Sequence, residues 1–360
     1  MKKILCLVLA IIVLFVAGCS APAAPVATEA PAAPVATEAP AAPAATEAPA
    51  APAATEAPAP KKLFTSTVKI IVPFNPGGST DLLARLLAPE LSTRFGVPVV
   101  VENKPGGGGA IGMLDMLGSK PDGHTVILTS VNAATLTPNM SDVGYTNKEM
   151  KQISQLTSVS TGIIVNAESE LKTVEDLIAK GDANPGTMTF ATTGTGSIHH
   201  IAAELFMKEI GKPGLFNHVP FDSGPEAIAA VLGKQIDFSF GDAGDCLALV
   251  KDGQLRVLAM AADPGRDFFF PDVPSFKELG YNVGQMGPWT ALAAPAGSSD
   301  EIVDFWDATV KEVMDLPSTK EGIGTLSLVP AYLNRAEITA KWMSQYELNK
   351  TIIEGLDLGK

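Results

Sequence analysis

Residues 68–87 read VKIIVPFNPGGSTDLLARLL. Val68, Ile70, Ile71 and Val72 form a β-branched run suited to a buried strand, and Leu82, Leu83, Leu86, Leu87 and Leu91 recur at helical spacing as one apolar stripe. Between them lies PFNPGGSTD, where Pro76, Gly77 and Gly78 permit a tight turn and Ser79, Thr80 and Asp81 suit the start of a helix. The stretch is therefore a strand–turn–helix unit. The first N–H groups of such a helix have no partner within it and, with the aligned peptide dipoles, favour an anion. The same glycines would equally serve an ordinary turn, so the unit has to be weighed against the rest of the chain.

The design recurs. A strand at Thr187–Ala191 leads through TTGTGS (192–197) into IHHIAAELFMKEI, where Ile198, Ile201, Ala202, Leu205 and Phe206 share one face. A third copy runs from Phe216–Pro220 through Phe221, Asp222 and Ser223 to a helix with Pro225 at its start, and a fourth from Ile236–Phe240 through Gly241, Asp242, Ala243, Gly244 and Asp245 to a short helix ending at Val250. Further strands are expected at 97–101, 126–129, 162–166, 255–261 and 291–294, and helices at 111–117, after the Thr173 cap, at 300–314 and at 335–354. Ser130–Thr137 reads as irregular and polar. This alternation predicts an α/β body with ligand contacts at the carboxyl ends of its strands. Two glycine-rich turns brought face to face, Pro76–Asp81 and Thr193–Ser197, would hold one small anion between them.

The ends and totals frame that body. The 360-residue chain has a formal net charge of -13, which argues against nucleic acid as a partner. Met1, Lys2 and Lys3 precede an apolar run, Ile4–Ala17, too short for a transmembrane helix and suited to an export signal. That run closes on Val16-Ala17-Gly18-Cys19, which resembles the lipobox of bacterial lipoproteins and implies lipidation of Cys19. Residues 21–56 are four nine-residue units, APAAPVATE or APAAPAATE. Nothing in them can bury a face, and proline at this density favours extended chain, so roughly forty residues would reach about 120 Å at roughly 3.1 Å per residue. The expected organisation is a signal at 1–19, a tether at 20–62 and the body from Leu63. Of the three cysteines only Cys246 falls in the body, where it reads as a small buried helix residue.

Other chemistries find weak support. Gly107, Gly109 and Gly112 satisfy G-x-G-x-x-G, but a loop separates them from the preceding strand and the next strand ends in Ser130 rather than an acid, so the glycines are expected to let loop and helix approach the sheet. Ser79 lacks the closing glycine of a nucleophile elbow. His199, His200 and Glu204 do not make a metal motif; His200 is expected to pack or cap near the ligand turn and His199 to face solvent. Asp81 reads as a helix-stabilising charge rather than a general base. Trp289 and Phe74 are candidates for stacking on an aromatic ligand.

Six blocks in order resemble the periplasmic solute receptors of tripartite tricarboxylate transporters, the TctC or Bug family. They are IVPFNPGGSTDLLAR, VVVENKPGGGGAIG, KPDGHTVILTS, TGTGSIHHIAAELF, GQLRVLAMAADPGRDFFFPDVPSFKELGY and WTALAAPAG. The resemblance implies a two-lobed periplasmic binding protein fold of type II, with 63–160 plus 290–360 in one lobe and 161–289 in the other. It implies a non-enzymatic receptor, without cofactor or metal, that binds a small organic anion: a di- or tricarboxylate, an amino acid or an aromatic acid. The implied partners are a two-component membrane permease and, through the lipid anchor, the extracytoplasmic face of a bacterial membrane; the receptor itself is expected to be a monomer. One carboxylate would be held by the backbone of two turns, Phe74, Pro76, Gly77, Gly78, Ser79 and Asp81 in one lobe and Thr193, Gly194, Thr195, Gly196, Ser197 and His200 in the other. Ser130, Asn132, Ala133, Asp222, Ser223, Asp242 and Ala243 would read the rest of the ligand. His124 and Phe221-Asp222-Ser223 depart from the family's usual residues, which leaves the ligand open. A secreted hydrolase or a sensor ectodomain on the same fold is the competing reading.

Overall fold

The computed structural model describes residues 63–262, 265–284 and 286–355. The expected signal, Cys19 and the repeat tether lie outside these residues. The chain lays down β1 (Val68–Val72), α1 (Ser79–Phe95), β2 (Val99–Asn103), α2 (Ala110–Leu117), β3 (Thr125–Ser130), α3 (Thr137–Met140) and β4 (Met150–Ser158). It crosses into β5 (Thr161–Asn166), α4 (Val174–Ala183), β6 (Thr189–Thr192), α5 (Ile198–Glu209), β7 (Asn217–Pro220), α6 (Gly224–Leu232), β8 (Phe238–Asp242), α7 (Ala243–Lys251) and β9 (Leu255–Met260). It returns through β10 (Trp289–Pro295), α8 (Asp300–Asp315), α9 (Pro317–Thr325), β11 (Pro330–Leu333) and α10 (Arg335–Gly355).

These strands make two sheets, one per lobe: a six-stranded sheet in the order β11-β4-β10-β3-β1-β2 and a five-stranded sheet in the order β7-β6-β8-β5-β9. β1 pairs in parallel with β2 and β3, and β6 with β7 and β8, so the turns after β1, β3, β6, β7 and β8 gather at carboxyl edges. The two chain segments joining the lobes run side by side. The Val159 N–H donates to the Pro288 carbonyl at 2.8 Å and the Thr161 N–H to the Met286 carbonyl at 3.0 Å. Gly287 lies in this ribbon, where an added Cβ would stand 1.9 Å from the Val159 carbonyl oxygen.

α1 shows how the apolar pattern becomes packing. Leu83, Leu87 and Leu91, with Ala84 and Ala88, are buried against the first sheet, each leucine contributing about 2 kcal/mol. The five leucines do not form one stripe as their spacing suggested. Leu82 is 40% exposed, because five positions span too wide an arc for one face, and Leu86 turns instead toward Gly322 of α9. The Thr173 cap is a full capping box, with the Thr173 hydroxyl accepting from the Asp176 N–H and the Asp176 carboxylate accepting from the Thr173 N–H.

The structure adds α9 and β11 between the two expected closing helices, and two further segments differ from the sequence reading. Ser130–Thr137 is not irregular: Asn132–Leu136 forms a π-helical turn that runs into α3, with Ala133, Ala134, Thr135 and Leu136 buried. The Thr135 hydroxyl donates to the Val131 carbonyl at 2.8 Å, which lets a polar-looking segment close on itself as helix. β4 shows no strand pattern in sequence because it is rich in polar residues. Gln152, Ser154, Gln155 and Thr157 are buried between β10 and β11. The Gln155 amide donates to the Ala331 carbonyl at 2.7 Å and its oxygen accepts from Lys341 Nζ at 2.8 Å, so Gln155 is satisfied by partners distant in sequence.

Candidate ligand-binding site

β1 ends beside the start of α1, and the turn between them is tied down from below. Gly78 is the N-cap, in extended conformation and without a side-chain capping bond. Asp81, on the helix's third residue, is buried and turned inward. Its carboxylate accepts from the Gly77 N–H at 2.8 Å, from Arg85 Nε at 3.0 Å and from Asn103 Nδ2 at 3.0 Å, while Asn103 also donates to the Phe74 carbonyl at 3.1 Å. Burial pushes the Asp81 carboxyl up, but the hydrogen bonds from Arg85, Gly77 and Asn103 outweigh it and hold the group below the usual carboxylate range. Asp81 thus builds the turn and leaves the N–H groups of Ser79 and Thr80 at the open end of α1.

The glycine run supports the same turn from the side. A Cβ on Gly112 would stand 2.8 Å from Pro73 Cα, and one on Gly109 would stand 2.6 Å from the Ala133 Cβ. The loop and α2 therefore approach β1 and the π turn more closely than any side chain allows.

The open end of α1 borders a cavity of about 270 Å³ lined by Phe74, Gly78, Ser79, Thr80, Ser130, Asn132, Thr157, Val159, Pro288, Trp289, Thr290 and Leu328. Hydroxyls and the Asn132 amide furnish its polar part, and Phe74, Val159, Pro288, Trp289 and Leu328 its apolar part. No Asp, Glu, Lys, Arg or His is among these lining residues. Thr157 and Thr290 share a hydroxyl–hydroxyl hydrogen bond of 2.7 Å, and the Trp289 Nε1–H donates to Gln345 Oε1 at 2.6 Å, which locks the indole in place. Such a wall can hold an anion with neutral dipoles and enclose an uncharged body.

Of the residues singled out from sequence, Phe74, Gly78, Ser79, Ser130 and Asn132 meet at this cavity. Pro76 and Gly77 are exposed in the turn beside it. Ala133 is buried behind it, its carbonyl accepting the Tyr145 hydroxyl at 2.6 Å. Asp81 lies beneath the turn, and the remaining residues stand at the carboxyl edge of the second sheet. Thr80, inside the expected turn Pro76–Asp81, joins the cavity lining; sequence reasoning missed Thr157, Val159, Pro288 and Thr290, which arrive from the end of β4 and the inter-lobe segments. Trp289, a stacking candidate in sequence, also lines the cavity. The one available signal was that Pro288, Trp289 and Thr290 adjoin a strand start.

At that second edge the Ser197 hydroxyl caps α5, accepting from the His200 N–H at 3.3 Å, and His200 Nδ1 accepts from the Gly196 N–H at 3.0 Å. His200 stacks on His218 with centroids 3.9 Å apart, and burial together with this neighbour lowers the His218 imidazole to about 4. The Gly194 carbonyl accepts from the Thr192 hydroxyl at 3.2 Å and Thr195 is exposed. Asp222 is exposed, Ser223 caps α6 by accepting from the Glu226 N–H, and the Ala243 N–H donates to the Ser160 carbonyl at 3.2 Å.

His199 corrects the sequence reading: it is buried, not solvent-facing. Its Nδ1 lies 2.7 Å from the Thr193 hydroxyl and its Nε2 2.7 Å from Asp242 Oδ1. The side chain on its helix position points into the lobe because that face of α5 meets the end of β8, where Asp242 accepts its Nε2–H. Cys246 is buried on α7 and burial pushes its thiol up to about 12, consistent with an inert packing residue.

The family model of the tripartite tricarboxylate transporter family receptors matches residues 83–358. The chain is similar to the "UPF0065 protein in gbd 5'region" of Cupriavidus necator, 32% identical over 294 residues, which covers 81% of this chain and 88% of the relative. It is also similar to protein BugT of Bordetella pertussis, 32% identical over 266 residues, 73% of this chain and 81% of that one. Among solved structures, a TctC solute binding protein from Polaromonas superposes with a TM-score of 0.76 at 28% identity, covering 81% of this chain and 99% of the other.

Proposed function

Because the chain belongs to the family of tripartite tricarboxylate transporter receptors, we propose that it captures a small organic carboxylate in its cleft and delivers it to a two-component membrane permease. The family is one of periplasmic solute-binding receptors rather than enzymes. Among the described residues no helix is long and apolar enough to cross a membrane. We take the receptor to work as a monomer outside the cytoplasm, held to the membrane by lipidated Cys19 and spaced from it by the repeat tether at 20–62.

The observation that carries this reading is the cavity at the open end of α1, with Ser79, Thr80, Ser130, Asn132 and Thr290 in its wall and no ionisable side chain among its lining residues. A carboxylate bound there sits on helix-end N–H groups and hydroxyls without a competing counter-ion. The ligand classes in contention are a di- or tricarboxylate, an amino acid and an aromatic acid. The lining set of lobe one would take the carboxylate, and Thr193, Gly194, Gly196, Ser197, His200, Asp222, Ser223, Asp242 and Ala243 would close over it from lobe two.

Thermal-shift titration with malate, citrate, glutamate and benzoate, one probe for each class, tests this. One class should raise the melting temperature saturably and be recovered chemically unchanged. Turnover of the stabilising compound, or no stabilisation by any of the four, contradicts the proposal.

A further inference from the structure

We infer that His199 is a positioning residue of the second-lobe half of the site: its Nδ1 decides whether the Thr193 hydroxyl donates a hydrogen bond to a bound carboxylate or turns only lone pairs toward it. The inference rests on the carboxylate-receptor reading and adds a regulation to it.

The geometry leaves little freedom. His199 is 4% exposed, and its ring bridges the turn after β6 to the end of β8 through two contacts of 2.7 Å, Nδ1 to Thr193 Oγ1 and Nε2 to Asp242 Oδ1. A carboxylate only accepts, so Nε2 carries a proton. Nδ1 is then the nitrogen that titrates. When it is protonated it donates to Thr193 Oγ1, and the hydroxyl's own hydrogen has to point elsewhere. When it is bare it accepts that hydrogen, and Thr193 keeps only lone pairs for any other partner. Thr193 is half-buried at the carboxyl edge of the second sheet, so one proton on a buried ring reverses the polarity of a group at the binding edge.

The charges acting on His199 come from Asp242 at the end of β8 and Asp245 in the first turn of α7. Burial pulls the imidazole down, but these two carboxylates outweigh it and hold it above the usual histidine value. Asp245 is itself pushed up to about 6 by burial and by Asp242, with His199 drawing it back. His200, next on the helix, has its Nδ1 occupied by the Gly196 N–H and does not compete for Thr193. The protonated ring therefore both adds positive charge and presents a donor, and both effects favour an anion. Binding should be strongest below the raised histidine value and weaken as pH rises through it.

Acetate, ionised throughout the range, serves as the probe in NMR titrations of the full-length protein from pH 6.5 to 9. The wild type should lose about tenfold in acetate affinity across this window, the scale of one hydrogen bond to a charged group. His199→Gln should flatten the profile. Thr193→Val, which keeps the buried ring and its charge, should reduce the slope to the part that charge alone supplies and weaken acetate at the acid end, and Thr193→Ser should restore the wild-type slope. A wild-type slope in Thr193→Val, or long-range nitrogen spectra of the ligand-free protein that show the neutral ring carrying its proton on Nδ1, overturns the inference alone. Absence of acetate binding at every pH overturns the carboxylate reading and this inference with it.

Discussion

Asp81 accepts the Gly77 N–H on Oδ2 at 2.8 Å, closing the turn from the helix side so that the residue one position beyond the cap and the third residue of α1 hold each other in place. The carboxylate is 1% exposed and carries Arg85 and Asn103 as well. Its acceptor capacity is taken up by the protein, and the cavity at the open end of α1 is lined by residues without charge.

Asp81→Ala leaves the Gly77 N–H, the Asn103 amide and Arg85 without their acceptor, and should destabilise the fold by about 2 kcal/mol in urea denaturation. The pH dependence has a definite sign. With its folded value held below the ordinary 3.8, Asp81 contributes stability that is full above that value and lost as pH falls through the folded one. Asp81→Asn should remove this acid-side slope.

Gly78→Asp separates folding from binding. Gly78 is an N-cap with φ -72° and ψ 162°, and a Cβ there meets only the Asn75 carbonyl oxygen at 3.5 Å. Aspartate is a favoured N-cap, so thermal stability should hold or rise by a few tenths of a kcal/mol. The added charge faces the anion site, and affinity for the stabilising carboxylate should fall at least about tenfold by calorimetry. Undiminished affinity would place the carboxylate elsewhere.

Gly112→Ala brings a methyl to 2.8 Å from Pro73 Cα, a backbone atom one residue before Phe74. The collision should cost about 1–3 kcal/mol, as overpacked sites do, and should weaken ligand binding as well, since the displaced strand end carries the turn. A melting curve and a binding isotherm on the same sample check both.

Trp289→Phe removes the Nε1–H that Gln345 Oε1 accepts at 2.6 Å in a buried setting. The orphaned amide oxygen should cost about 1–3 kcal/mol. Gln345→Met added to that variant removes the orphan and should recover part of the loss, so a double-mutant cycle measured by denaturation reads the pair directly.

His199 gives stability an alkaline slope. Its folded value is raised above the ordinary 6.5 despite burial, through Asp242 and Asp245, so its contribution is complete below the unfolded value and is lost as pH rises through the folded one. Melting temperatures between pH 6 and 9 should fall for the wild type and stay level for His199→Gln in that part of the range.

Much of the architecture was legible because it is written locally. The β-branched runs, the caps at Thr173, Ser197 and Ser223, and the glycine turns each fall within a few residues of the element they define, so strand–turn–helix units could be read in order. β4 escaped because its polar residues hide the strand pattern, and Gln155 and Thr157 find their partners on β11, α10 and β10, far away in the chain. The turn from Asn132 escaped because a helical turn of five residues is too short to show a periodicity.

The sequence by itself determined the strand–turn–helix unit and the glycine-rich turn at the N-terminus of α1, the local frame on which the proposed anion site rests. Tertiary structure alone decided which groups wall it and which are spoken for. Thr157, Val159, Pro288, Trp289 and Thr290 reach the cavity by sheet pairing between segments more than a hundred residues apart. Asp81 and His199 look alike in sequence, each a titratable residue near a turn, yet Asp81 is consumed beneath its turn while His199 is poised between Thr193 and Asp242. The difference is one of burial and hydrogen-bond partners, which local spacing does not encode.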